Sequence, residues 1–229
     1  MNVEVLADVE SVARRAAEVI ADEARAAVKA RGRFAVAVSG GRTPWMMLRA
    51  LSSLDVPWRQ VHVLQVDERI APAGDGDRNL THLRASLQVH PDPAQVHAMP
   101  VEADDLDEAA ARYAQTLAEV AGSPPVLDLV HLGLGPDGHT ASLVPGDPVL
   151  DVMDAGVALT GLYQGRRRMT LTYPTLNRAR RVLWLITGED KAAMLVRLRR
   201  GDPAIPAGRV RQDHAVVIAD RAAAGKGQS

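Results

Sequence analysis

The chain contains no cysteine, which excludes disulfides and thiolate metal sites and is compatible with a reducing compartment. Its N-terminus has no basic stretch followed by an apolar core, and no apolar run approaches the roughly 20 residues of a spanning helix. The expected location is the cytoplasm, with no membrane partner. Charge of one sign is missing too. Lys and Arg total 27 against 28 Asp and Glu, a formal net charge of -1, so no global field points to nucleic acid. Lysine is scarce, occurring at Lys29, Lys191 and Lys226 alone, which makes the setting of each informative.

What is present suits one medium α/β domain over residues 1–229. Hydrophobic residues make up 47% of the chain and charged residues 24%, enough for a sizeable core in a soluble protein. The charge is uneven along the chain. Residues 92–154 carry twelve acidic side chains and one basic, and residues 161–211 carry twelve basic and three acidic. The two stretches are expected to neutralise each other for the most part, leaving a few cations for an acidic ligand.

Hydrophobic spacing predicts an amphipathic helix over 8–30, capped by Asp8 and ended by Gly32. A strand at 34–38 follows, then a helix from Pro44 to about Ser53, with Thr43 at its cap. A strand at 61–66 ends in Asp67-Glu68-Arg69, with a short helix near 79–87. Further elements are a helix at 104–120, strands at 127–132, 168–172 and 181–186, a helix from 188 to about 199, and a strand at 215–218. Residues 222–229 read as a frayed tail. Strand alternating with helix implies a mostly parallel sheet covered on both faces, with ligands beyond the carboxyl ends of the strands. The loops at 39–43, 67–69, 133–140 and 188–191 all follow strands, so they converge on one edge.

Ser39-Gly40-Gly41-Arg42-Thr43-Pro44 joins a strand to a helix start. It is either a plain tight turn capped by Thr43 or a phosphate cradle made of backbone amides, a helix N-terminus and the hydroxyls of Ser39 and Thr43. It is neither a Walker loop nor a full dinucleotide fingerprint. Arg69 is a candidate clamp for a substrate anion or a developing oxyanion, oriented by Asp67 or Glu68. The segment Gly133-Leu-Gly-Pro-Asp-Gly-His-Thr-Ala-Ser142 forces a tight path that ends at His139. Histidine is the side chain best matched to proton transfer near neutral pH, and Asp137 is placed to orient its ring or bind a sugar hydroxyl. The other six histidines, at 62, 82, 90, 97, 131 and 214, read as structural or surface. Metal-ligand spacings and the G-x-S-x-G elbow are both missing, so neither a zinc site nor a serine hydrolase is expected. Lys191 at a helix start and Arg168 at a strand start are candidate phosphate contacts.

The ordered set Ser39–Pro44, Val66–Arg69, Gly133–Leu143 with Pro145-Gly146, Arg168–Thr172 and Ile186–Lys191 resembles the glucosamine-6-phosphate isomerase/6-phosphogluconolactonase family, on its lactonase side. Ile205-Pro-Ala, Val217–Asp220 and Ala222–Ala224 extend the likeness, which spans about 8 to 224. The resemblance implies the fold of glucosamine-6-phosphate deaminase and ribose-5-phosphate isomerase. It implies hydrolysis of 6-phospho-D-glucono-1,5-lactone to 6-phosphogluconate in the oxidative pentose phosphate pathway, without a cofactor and next to glucose-6-phosphate dehydrogenase. By matched position, His139 is the general base and Arg69 contacts the lactone carboxyl end or the intermediate. The loop Ser39, Gly40, Gly41 and Thr43, then Lys191, then Arg168 would serve the phosphate, with Asp67 also on the substrate side.

Two positions depart from the family pattern. Arg78 precedes Asn79 where a Ser is common, and Val144 replaces a common Phe before Pro145-Gly146. The rival deaminase chemistry implies a Phe-Asn-Glu stretch after the histidine, whereas this chain runs Thr140-Ala-Ser-Leu-Val-Pro145. A non-catalytic sugar-phosphate sensor would imply an attached DNA-binding element.

Overall fold

A computed structural model describes residues 1–87 and 95–225. His90, Asp92 and residues 226–229, the last half of the expected tail, lie outside the described residues. Ten strands are described: β1 (Asn2–Leu6), β2 (Phe34–Val38), β3 (Val61–Gln65), β4 (Asp67–Arg69), β5 (Gln95–His97), β6 (Leu129–Gly133), β7 (Val157–Leu159), β8 (Arg168–Leu171), β9 (Val182–Ile186) and β10 (Ala215–Asp220). The helices are α1 (Val9–Arg31), α2 (Arg42–Leu51), α3 (Asn79–Leu87), α4 (Leu106–Ala121), α5 (Tyr173–Arg178), α6 (Ala192–Arg199) and α7 (Arg221–Ala224).

Seven strands form one sheet in the order β1-β10-β9-β6-β2-β3-β5, and every neighbouring pair is parallel. The alternation of β2 shows how it is covered. Phe34, Val36 and Val38 join a core with α1 and α2, while Ala35 and Ala37 join a core with α4 on the opposite face. All five residues are buried, as a central parallel strand requires. On α1, Val12, Ala16, Ile20, Ala24 and Ala27 recur at helical spacing and are buried. Asp8 caps the helix by accepting the Ser11 amide at 2.8 Å, and Gly32 closes it at φ 74.

Several expectations needed correction. Arg168–Leu171 leaves the main sheet and forms a separate antiparallel one, in the order β4-β8-β7. Asp67–Arg69 is therefore a strand of its own rather than the end of the strand at 61–66. Thr43 does not cap α2; Gly41 holds that position, with no side-chain cap. The start of the tail is ordered: Asp220 accepts the Ala223 amide at 2.7 Å and caps α7. The acidic and basic stretches meet at Arg180–Asp128 and Arg209–Asp151. Arg166, Arg181 and Arg197 find carboxylates elsewhere, so mutual neutralisation is only partial.

Candidate active site

The ends of β2, β3, β6 and β9 open onto one cleft of ≈ 360 Å³, within the usual range for a small-molecule site. Ser39, Gly40, Gly41, Thr43, Asp67, Arg69, His139, Arg168 and Lys191 all line it. Asp137 touches it through His139. Asn79 and Thr187 line it too.

The first wall is the start of α2. Gly41 sits at φ 135, and no side chain caps the helix, so its first amides carry a partial positive charge toward the cleft. Thr43 Oγ1 lies 2.9 Å from Thr187 Oγ1, tying this loop to the end of β9. Lys191 Nζ pairs with Asp190 at 2.8 Å and still lines the cleft. Ser39 departs from its expected role as a hydroxyl donor. Its Oγ donates to the His131 carbonyl at 3.1 Å, and its amide donates to His131 Nδ1 at 3.2 Å. Burial holds His131 far down, at about 3, so the ring stays neutral and keeps accepting.

The second wall is built on charge. β4 and β8 pair antiparallel with Arg69 directly opposite Arg168. Arg69 Nη1 donates to Asn79 Oδ1. Asn79 Nδ2 in turn donates to the Asp67 carbonyl at 3.0 Å and to its carboxylate at 3.3 Å, while Ser142 Oγ donates to Asp67 Oδ2 at 2.5 Å. Arg69 is thus oriented by Asn79, with Asp67 acting one step back. Glu68 is fully buried and accepts the amides of Arg69, Asn79 and Leu80 at 2.8 Å each; it anchors the start of α3. Gly40 is a glycine because a Cβ there would lie 1.9 Å from Asn79 Oδ1.

Arg168 is buried, and its Nε has no hydrogen-bond partner among the described residues. Burial pushes its pKa down from the usual arginine value; Asp67 opposes that and Arg69 adds to it. A guanidinium keeps its charge through such a shift.

The third element is the glycine loop. The Gly138 amide donates to the Gly135 carbonyl at 3.0 Å, and the Gly135 amide donates to the His139 carbonyl at 2.9 Å. A Cβ on Gly135 would stand 2.1 Å from His139 Nδ1, so this glycine makes room for the ring. Gly138 lies at φ 85 against Ile205, and the Ala207 amide donates to the Gly138 carbonyl at 2.9 Å. The Ile205-Pro-Ala segment therefore braces the loop from behind. His139 Nδ1 sits 2.6 Å from Asp137 Oδ1, and the His139 amide donates to the same oxygen at 3.1 Å. Burial pushes the Asp137 carboxyl up, but the His139 amide and ring outweigh it and hold it below its ordinary value. An anionic Asp137 at Nδ1 fixes the tautomer that leaves Nε2 with a free lone pair. Tyr163 also reaches this pair, and nothing in the sequence pointed to it.

The two departures from the family pattern lie outside the cleft lining. Arg78 is buried, donates to the Ala71 carbonyl at 2.9 Å and pairs with Glu102 and Glu68. Val144 is buried as well, and neither residue lines the cleft.

The strand order and this cation-lined cleft define a parallel α/β protein with its ligand site at the carboxyl edge of the sheet. The chain belongs to the family described as glucosamine-6-phosphate isomerases/6-phosphogluconolactonase, whose model matches residues 7–219. It is 37% identical over 196 residues to a 6-phosphogluconolactonase of Synechocystis, covering 83% of this chain and 81% of that protein. The solved 6-phosphogluconolactonase of Trypanosoma brucei superimposes with a TM-score of 0.83 at 26% identity, covering 97% of each chain. A monomeric glucosamine-6-phosphate deaminase superimposes with a TM-score of 0.84 at 22% identity, over 98% of this chain and 99% of the other. That last likeness shows the shared fold alone.

Proposed function

We propose that the chain, acting as one cytoplasmic domain, hydrolyses 6-phospho-D-glucono-1,5-lactone to 6-phosphogluconate, with His139 as general base. The observation that carries this reading is the Asp137–His139 pair at 2.6 Å, in the cleft where Arg69 and Arg168 stand opposed. The α2 amides, Thr43, Thr187 and Lys191 would hold the phosphate. Fixing that end orients the lactone and selects against unphosphorylated gluconolactone.

With the lactone so placed, His139 Nε2 takes a proton from water as the oxygen bonds to C1. The carbonyl π pair moves onto oxygen, and the oxyanion meets the guanidinium of Arg69, with Arg168 beside it. A contact of that type is worth about 3–4 kcal/mol, and general base catalysis contributes on the order of 10²–10⁴-fold. Collapse breaks the bond from C1 to the ring oxygen, and the imidazolium returns its proton to the departing C5 oxygen. The new carboxyl group then ionises. Glucose-6-phosphate dehydrogenase, the supplier of such a lactone, is a functional neighbour in this reading.

The residues after His139 favour this chemistry over deamination. Thr140 Oγ1 donates to the Gly133 carbonyl at 2.9 Å and Ser142 to Asp67 at 2.5 Å, so these side chains hold the frame and supply no acid. Two assays on the purified chain separate the readings: acid release from the lactone above its spontaneous hydrolysis, and ammonia release from glucosamine 6-phosphate. The first is expected to be positive. Ammonia release without lactone turnover would replace the assignment.

A further inference from the structure

Between β7 and β8 the chain makes a two-residue turn. The Tyr163 amide donates to the Arg166 carbonyl at 3.0 Å, and the Arg166 amide donates to the Tyr163 carbonyl at 3.3 Å. Gln164 (φ 51) and Gly165 (φ 77) both occupy the left-handed region, as a type I′ turn demands. That conformation is unfavourable for Gln164, which has a Cβ. It is held from two sides. Arg168 Nη2 donates to Gln164 Oε1 at 3.2 Å, and Arg166 pairs with Asp75 at 3.1 Å and Asp77 at 3.3 Å.

The effect is to aim Tyr163 at the glycine loop. Its hydroxyl donates to Asp137 Oδ2 at 3.3 Å and lies 3.4 Å from His139 Nδ1. Its ring meets the imidazole edge-on, with centroids 5.5 Å apart. The Arg168 guanidinium lies over the Tyr163 ring, 4.9 Å from its centroid. Asp137 is thereby used on both oxygens: Oδ1 accepts from His139 and Oδ2 from Tyr163.

We propose that Tyr163 is a positioning residue that locks the Asp137–His139 pair and Arg168 into one geometry, so that the base and the cation beside Arg69 are set by the same side chain. This inference rests on the lactonase reading of the cleft. The hydroxyl also acts electrostatically. A hydrogen bond donated to Asp137 draws charge from the carboxylate, which then stabilises a protonated His139 less. Burial first, and the Asp137 carboxylate second, raise the Tyr163 pKa above its ordinary value, so the phenol remains a donor near neutrality. The charged groups around this assembly are Arg168 and, acting on Arg168, Asp67, Arg69 and Asp77; Lys191 lines the same cleft.

The test uses the full chain, Tyr163→Phe and Tyr163→Ala, with thermal unfolding to verify that both fold. The first readout is the NMR titration of the His139 ring without substrate. In Tyr163→Phe it is expected to move to higher pH by roughly half a pH unit, a fraction of one hydrogen bond transmitted through Asp137. The second readout is the pH profile of kcat/KM for the lactone. Its acid limb is expected to move the same way in Tyr163→Phe, with KM little changed. Tyr163→Ala is expected to add a rise in KM of about threefold, because Arg168 loses its aromatic platform. A His139 titration and an acid limb that both superimpose on those of the wild type would overturn the proposal. Because the titration needs no substrate, a shifted His139 in Tyr163→Phe beside an inactive wild type would support the coupling and overturn only the lactonase reading.

Discussion

Arg69 and Arg168 are direct partners across the β4–β8 ladder, two like charges where an antiparallel pair disfavours them. Arg69 is stabilised by Asn79 and Arg168 by Gln164 and the Tyr163 ring, and an anionic transition state would relieve what remains. Arg69→Met is expected to lower kcat/KM by about 10²–10³-fold. Unfolding of the free variant should occur at the same or a higher temperature, since a repulsion is removed. Steady-state kinetics and a thermal melt of one preparation check both halves.

Asp137 sets which imidazole nitrogen is free. Asp137→Asn keeps the shape but removes the anion that holds the proton on Nδ1, and is expected to cost about 10²–10⁴-fold in kcat. KM should change little, because the substrate-holding cations are untouched. A variant whose loss fell entirely on KM would assign Asp137 to sugar binding instead.

Gly40 and Asn79 share one space. A Cβ at Gly40 would stand 1.9 Å from Asn79 Oδ1, and Asn79 orients Arg69. Gly40→Ala is expected to cost about 1–3 kcal/mol of stability, as overpacking does, together with most of the activity. The double variant with Asn79→Ala should recover stability but not activity, a non-additivity that denaturant unfolding measures directly.

Three histidines are held neutral. Burial lowers His131 to about 3. Burial also lowers His62 and His97, whose rings meet with Nδ1 and Nε2 3.0 Å apart; a proton on His97, and then the Arg33 charge, would lower His62 further. The unfolded chain protonates these groups near pH 6.5, while the folded chain takes up the protons only at lower pH. Below pH 6.5 the unfolded state therefore binds more protons, and stability is lost as pH falls, continuing for His131 toward pH 3. Urea midpoints are expected to drop from pH 7.5 to pH 5. A flat or rising series would show that these rings are charged in the folded protein.

The readability of the site followed the range of its contacts. His139, Arg69 and the 39–43 loop could be found because each follows a strand of one parallel sheet, and glycines mark the turns. Arg168 was found but given the wrong surroundings, since a four-residue strand carries no sign of which sheet it joins. Thr43 before Pro44 reads as a helix cap, yet its hydroxyl is taken by Thr187, 144 residues away. Asn79 reaches Arg69 and Asp67, 10 and 12 residues back, and Tyr163 reaches Asp137 and His139, 26 and 24 residues back, pairings that no helix or strand period encodes. α7 was missed because a helix of four residues has no periodicity to show.

The most direct test of the central claim is lactone hydrolysis by His139→Ala beside the wild type, with spontaneous hydrolysis subtracted and folding verified by circular dichroism. His139→Ala is expected to bind 6-phosphogluconate normally and to lose about 10²–10⁴-fold in kcat, the usual share of a general base. Near-wild-type turnover by the folded variant would contradict the assignment of His139 as the base.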